Sequence, residues 1–583
     1  MKKVFERFSV DCDVDCKVEQ KVSINEQGAK IYTFFIDWDY RNVSGDAFLT
    51  ISLEEDAVGH LYYWNPDAGF NRSVPLGWRG GKKSMTSISA PVACIYDGRE
   101  QNTFTCAVSE VKEIVELKTA IVNDKYFGVR VIVNLNQYVQ CGHLELKLYV
   151  DETDIPMYEA IDNVRKWYED ECDLKPMNVP DCAKDAMYSY WYSFQQGLFQ
   201  KEVLEEAKRV KELGLKTVIL DDGWQMEGVD VRYAYTGDWQ VNEKKFSDFK
   251  GAINTMHDLG LKVLLWIGIP YVGIESELWK KYKDKTIQHS EWARASILDP
   301  RYPEIREYII NAIKRLMTDY NLDGFKIDFV DLFYDVPETK INDEMDVLSV
   351  QDATDKLMTD IKSELVKINP DVLIEFRQKY IGPNMRKYGN MFRVSDCPDD
   401  YLLNRVGVLD LRLLSGNTAV HSDMLMWNVN EKVEVAALQI INVIFGAMQF
   451  SGRLSLMSEE HKKMVMFWIE FMKKNKELLL NSDIIVEEAH LLYTLAKTEK
   501  NGETVIAVYA KDKCAKLSQN IDKATILNGT QGNRIIAEIT KPGTYNVSIC
   551  DCLGNVIEER NVMLNPGITS FDVPVAGMVT ICR

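Results

Sequence analysis

The chain has 583 residues, 46% hydrophobic and 10% aromatic, long enough to bury more than one core. Its formal charge of -19 is spread without an acidic tail. That disfavours nucleic acid or an anionic membrane surface as partner, since both need basic patches, and leaves a neutral small molecule compatible.

Residues 1 to about 175 read as strands and turns. Runs at 22–24, 31–36, 48–51, 127–133 and 144–150 are β-branched or alternating and are punctuated by turn residues, which predicts an N-terminal β-sandwich over 1–175. A helical connector is expected at 155–174. From about residue 182 strands alternate with amphipathic helices, the sign of a parallel α/β sheet. The predicted strands are 188–193, 217–220, 262–267, 324–328, 372–376 and 392–395, with two more near 419–423 and 447–450. Helices are expected at 201–213, 253–259, 303–319, 349–368, 432–443 and 459–475. Eight such strands predict a (β/α)8 TIM barrel, assigned to 176–483. Strand-like runs return at 505–509, 545–549, 562–564 and 579–582, so a small C-terminal β-sandwich is expected over 484–583. The fold class is thus multidomain α/β, a barrel flanked by two sandwiches.

The 12 cysteines show no metal-ligand spacing and look like thiols of a reducing compartment. No stretch is long and apolar enough to span a bilayer, so a cytoplasmic protein is expected, although a removed signal peptide would leave no trace.

The chemistry gathers at the predicted strand ends, where barrel active sites sit. In Gly324-Phe325-Lys326-Ile327-Asp328-Phe329, alternation puts Lys326 and Asp328 on one face. A core-facing charge is costly unless paired or working. The pair reads either as a structural cap or as a carboxylate nucleophile kept ionised by a lysine, and the second is preferred. Asp221 and Asp222 end the second strand, with Trp224 beside them as a platform for a sugar face. Trp266 ends the third. Glu375-Phe376-Arg377-Gln378-Lys379-Tyr380 ends the fifth, and Arg377 could receive an acidic sugar. Arg393 shares a face with Ser395 on the sixth, leaving Asp396 at the exit bend, and Asp423 follows the seventh. There is no metal-type His cluster, no phosphate-cradling Gly loop and no Ser-His-Asp ordering, so neither cofactor nor metal is expected. A carboxylate pair without metal is the minimum equipment for glycoside hydrolysis, and retention needs the two only ~5–5.5 Å apart.

Asp221-Asp222-Gly223-Trp224, Gly237-Asp238-Trp239, Leu265-Trp266, Phe325-Lys326-Ile327-Asp328 and Ser395-Asp396-Cys397-Pro398-Asp399 occur in that order. Together they resemble the α-galactosidases of glycoside hydrolase family 36, in the clan shared with families 27 and 31. The resemblance implies Asp328 as nucleophile and Asp396 as acid/base. It implies Asp221, Asp222, Lys326, Trp266 and Asp399 as sugar contacts, with Trp64 from an N-terminal loop reaching the site. It further implies an oligosaccharide or glycoside substrate and, by analogy, a homo-oligomer. The segment after the fifth strand departs from the family's Cys-Ser-Gly-Gly type, so a retaining α-glycosidase is expected more firmly than galactose as its sugar. The alternatives are a raffinose-synthase-like transglycosidase, a non-catalytic carbohydrate-binding barrel, and a Schiff-base lysine at Lys326.

Overall fold

The computed structural model describes all residues except 1, 44, 139, 226–230, 337–340 and 378–380. Three β-rich bodies follow one another along the chain. Two six-stranded antiparallel sheets come first, ending with the strand His143–Asp151. Their alternating residues, among them Phe34, Ile51, Phe104, Val131 and Leu146, interleave in one buried core, as the inner faces of a sandwich must. At the far end a seven-stranded and a three-stranded sheet enclose a smaller core that includes Ile506, Ile526, Val547 and Phe571.

Between them stands an eight-stranded parallel barrel. Its strands are β1 (Met187–Ser189), β2 (Thr217–Leu220), β3 (Lys262–Ile267), β4 (Gly324–Ile327), β5 (Leu373–Arg377), β6 (Met391–Arg393), β7 (Ala419–His421) and β8 (Gln449–Phe450). Neighbours pair in sequence order, β1 pairs with β8, and a bridge between His421 and Ala447 brings the two sheet edges together. The expected three-part architecture is therefore the one observed. Gly324 is required where β4 meets β5, because a Cβ there would lie 1.9 Å from the Leu373 carbonyl oxygen.

The barrel interior changes character along its axis. Met187, Ile219, Leu264, Leu373, Met391 and Ala419 form an apolar floor, closed by Ala183 from a 3-10 turn below. One layer up, where side chains of the same face recur every two residues, stand Ser189, Trp266, Lys326, Glu375 and Arg393. The floor supplies hydrophobic burial, and the upper layer is free to be polar only because its groups pair with one another.

Two expected strands are corrected locally, and one insertion is added to them. The first strand stops at Ser189, and Trp191–Phe194 turns into a short helix, because the aromatic run that suggests a strand continues past the point where the chain leaves the barrel. The sixth stops at Arg393, whose Nη1 donates to the Val394 carbonyl at 3.0 Å. Between β3 and the helix Pro303–Tyr320 the chain inserts a helix, Glu277–Tyr282, and a three-stranded sheet, Tyr271–Gly273, Thr286–Ser290 and Ala295–Leu298. These strands are short, and His289, Ser290 and Ser296 blur the period-2 pattern in the two longer ones.

Candidate active site

Asp328 follows the last residue of β4, at the end of the barrel where strands hand over to loops. Its Oδ2 accepts the Trp266 indole N–H at 2.8 Å, and its Oδ1 accepts Arg377 Nε at 2.5 Å. Phe329 takes a left-handed backbone, φ 63°, and its N–H donates to Asp328 Oδ1 at 2.7 Å. A bulky residue in that region is strained, and strain of this kind concentrates at functional sites. Burial opposes ionisation of Asp328, but the Arg377 and Lys326 charges and the hydrogen bonds outweigh it and hold the carboxyl below its ordinary value.

Lys326 was expected to keep Asp328 ionised, and its charge does favour the anion, though not through contact. Its ion pair is instead with Asp221, Nζ to Oδ2 at 2.6 Å, both groups buried. Among the described residues the cation in contact with Asp328 is Arg377, at the end of β5. The same guanidinium reaches Asp396, Nη1 to Oδ2 at 3.4 Å, so one planar group touches both carboxylates. Arg393 Nη2 donates to Asp396 Oδ1 at 2.7 Å. The side chain of Asp396 is 40% exposed, whereas that of Asp328 is buried. Burial again works against charge on Asp396, yet Arg393 and Arg377 hold it well below the usual carboxylate range.

Behind these lies a tier of buried polar groups. Arg393 also contacts Asp423, whose Oδ2 accepts the Tyr192 hydroxyl at 3.0 Å and the Cys397 N–H at 2.6 Å. Glu375 accepts from Gln449 and lies 3.9 Å from Arg393 Nε; burial pushes its carboxyl up to about 7. Asp222 accepts Gln196 Nε2 at 2.8 Å and Gln225 Nε2 at 3.1 Å, and burial likewise pushes it up to about 7. Gly223 makes this corner possible: φ is 116°, and a Cβ would sit 2.7 Å from the Gln196 backbone.

The structure brings together Asp221, Asp222, Trp266, Lys326, Asp328, Arg377, Arg393 and Asp396. It does not bring in the rest. Trp224 is buried behind the mouth, stacked on Phe249 and donating to the Trp266 carbonyl at 2.9 Å, so it offers no sugar platform. Asp399 lies on the surface and accepts Gln439 Nε2 at 2.8 Å, while Asp400 caps the helix Tyr401–Leu414. Trp64 is buried at the junction of the three bodies, donating to Asp410 at 2.8 Å beside Arg72 and Tyr493. Asp238 caps the inserted helix through the N–H groups of Glu277 and Leu278, 2.8 Å each. Gln378, Lys379 and Tyr380 lie outside the described residues.

Several contributors escaped the sequence reading. Tyr233 stacks on Tyr271, centroids 4.7 Å apart, and meets Phe329 at 5.0 Å and Trp266 at 6.3 Å, building one wall of the mouth. Tyr192, Gln196 and Gln449 enter only as hydrogen-bond partners. No local pattern marks them, because their partners come from distant strands. Among the described residues no group of three or more His, Cys, Asp or Glu could hold a metal ion, and no helix is long and apolar enough to cross a membrane. A separate cavity of about 690 Å³, lined by Asp162, Arg165, Lys184 and Arg412, contains none of the mouth residues.

The melibiase family model matches residues 184–482, or 299 of the 583. Among curated proteins the chain is similar to α-galactosidase AgaA of Geobacillus stearothermophilus, 28% identical over 154 residues, covering 25% of this chain and 21% of that one. It is also similar to α-galactosidase Mel36A of Lactobacillus acidophilus, 27% identical over 189 residues, 30% of this chain and 24% of that one. These alignments thus span about a fifth to a quarter of the relatives' length. In fold, the crystal structure of α-galactosidase AgaB from Geobacillus stearothermophilus superposes with a TM-score of 0.65, 13% identity, and coverage of 99% of this chain and 83% of that one. The barrel with its strand-end carboxylates lies inside the matched segment, which takes in more than half of the residues: the chain belongs to the melibiase family.

Proposed function

We propose that the protein is a retaining α-glycosidase of the α-galactosidase type, acting on terminal α-linked sugars. The observation that carries this reading is the single Arg377 guanidinium in contact with both Asp328 and Asp396 at the barrel mouth. Two carboxylates that share one planar partner face a common space, as double displacement requires. Asp328, buried and kept ionised, attacks the anomeric carbon while the bond to the leaving oxygen breaks. Asp396 gives its proton to that oxygen. It then takes a proton from water as water attacks the same carbon and releases Asp328. Asp221 and Asp222, beside Lys326, accept hydrogen bonds from sugar hydroxyls at the closed end of the site.

Asp396 needs a proton in the first step, and its two arginines resist that. The looser contact, 3.4 Å to Arg377, is the one an incoming sugar can break, and losing it moves Asp396 toward protonation. The partner in this reading is an oligosaccharide or glycoside. The curated relatives AgaA and Mel36A are α-galactosidases, and crystal structures of doubly substituted AgaA variants hold stachyose and raffinose, which supports galactose at the non-reducing end.

The test is chemical rescue. Asp328→Ala given an activated aryl α-galactoside and azide should form the β-galactosyl azide, while the wild type releases α-galactose first. Formation of the α-azide, or first release of β-galactose by the wild type, would place the nucleophile elsewhere or make the enzyme inverting.

A further inference from the structure

One large aromatic stands in the open beside this mouth. Trp292 is 63% exposed at the tip of the inserted hairpin, between Thr286–Ser290 and Ala295–Leu298. A lone exposed hydrophobic residue needs no explanation, but this one is held in place on several sides. The carbonyl of Ala293, its buried neighbour, accepts the Tyr233 N–H at 3.1 Å, tying the hairpin tip to the wall of the mouth. The Trp292 ring lies 6.3 Å from the Tyr233 ring, and the Arg232 guanidinium sits 4.9 Å over it. The Arg232 carbonyl accepts Gln196 Nε2 at 3.2 Å, and that same amide holds Asp222. Arg232 itself has a left-handed backbone, φ 54°. Trp292 is thus one aromatic contact from the ring that touches Phe329, and its neighbour Arg232 hangs from the group that fixes Asp222.

We infer that Trp292, with Arg232 beside it, is the binding platform for the sugar ring on the leaving-group side of the scissile bond. This rests on the glycosidase reading and goes beyond it by naming what holds the second ring. An indole face is electron-rich, and the C–H face of a pyranose presents a weakly positive, apolar surface of matching size. Arg232 covers part of one side of the ring by cation–π contact, and its remaining donors can meet hydroxyls at the rim. The site beneath, with Asp221, Lys326 and Asp328 all buried, is filled by the first sugar; a second ring emerges past Tyr233, toward Trp292.

Two substrates separate this role from a structural one. α-Galactosyl fluoride has no second ring, whereas raffinose has. Trp292→Ala should raise KM for raffinose about 3- to 10-fold, the worth of one aromatic stacking contact, and leave kcat and KM for the fluoride unchanged. Trp292→Phe should recover most of the difference. In the Asp328→Ala background, raffinose affinity by calorimetry should fall by the same factor when Trp292 is also replaced. Equal losses on both substrates, or no change in raffinose KM and affinity, would overturn the platform. A wild type that cleaves neither substrate would sink the glycosidase reading, and the calorimetry would still decide whether Trp292 binds the sugar.

Discussion

Asp328 and Asp410 are both buried carboxylates paired with an arginine, and their charges are treated in opposite ways. At Asp410, where the barrel helix Tyr401–Leu414 meets both sandwiches, burial is the largest influence, and Arg72, Tyr493 and Trp64 do not overcome it, so the carboxyl is pushed up. At Asp328 burial is again the largest influence, but Arg377, Lys326 and the Trp266 N–H together reverse it. One cation and neutral donors make a joint between domains. Two cations around one carboxylate make an anion that stays charged without water, which is what a nucleophile needs. A buried ion pair is by itself weak evidence for function, and the number and sign of its neighbours carry more.

The sharpest way to break that contrast is to remove each acid. Asp328→Ala should lower kcat/KM by roughly 10⁴-fold or more, and should also lower thermal stability, because buried Arg377 loses one of its two carboxylate partners. A small loss of activity would refute its role. Arg377→Gln comes next. Without that guanidinium Asp328 and Asp396 both move up, so the acid limb of the pH profile shifts to higher pH and proton donation by Asp396 persists further into the neutral range. The expected cost at the wild-type optimum is about 10²–10⁴-fold, the range of a displaced acid–base group. A profile of unchanged shape would mean that Arg377 does not set these charges. Asp410→Ala, by contrast, should cost about 3–5 kcal/mol of stability, the penalty for leaving Arg72 buried without its partner, and leave KM intact in the folded fraction.

Much of this was legible in sequence because it depends on order and period. Alternation in Gly324-Phe325-Lys326-Ile327-Asp328 placed the lysine and the acid on one face, and the strand-end position of Asp221, Asp222, Arg377 and Asp396 followed from the barrel. Pairing was not legible. Nothing local says that Lys326 reaches across the barrel to Asp221, or that Arg377 rather than Lys326 contacts Asp328, because a strand pattern fixes a face but not which neighbour lies opposite. Trp224 and Trp64 failed for a related reason: an aromatic next to a carboxylate looks the same whether it lines a cleft or fills a joint. The inserted hairpin and Trp292 were invisible because its strands are short and part polar, and their value lies in where Tyr233 holds them.

The smallest effect tests whether the second tier behaves like Asp410 or like Asp328. Glu375 is buried, faces Arg393 at 3.9 Å and is pushed up to about 7. A carboxyl whose folded value exceeds its unfolded one binds more protons in the native state, so stability falls as pH rises from about 4.5 through about 7. Glu375→Gln cannot ionise and should flatten that slope, removing up to about 3 kcal/mol of its fall across the window. Denaturant titrations of both proteins at pH values spanning the window would show it. A wild type that grows more stable from acid to neutral at the expense of the variant would mean that Arg393 keeps Glu375 charged. Glu375 would then belong with Asp328, as an anion stabilised for the site's chemistry, and the line between joint and site would run one layer lower in the barrel.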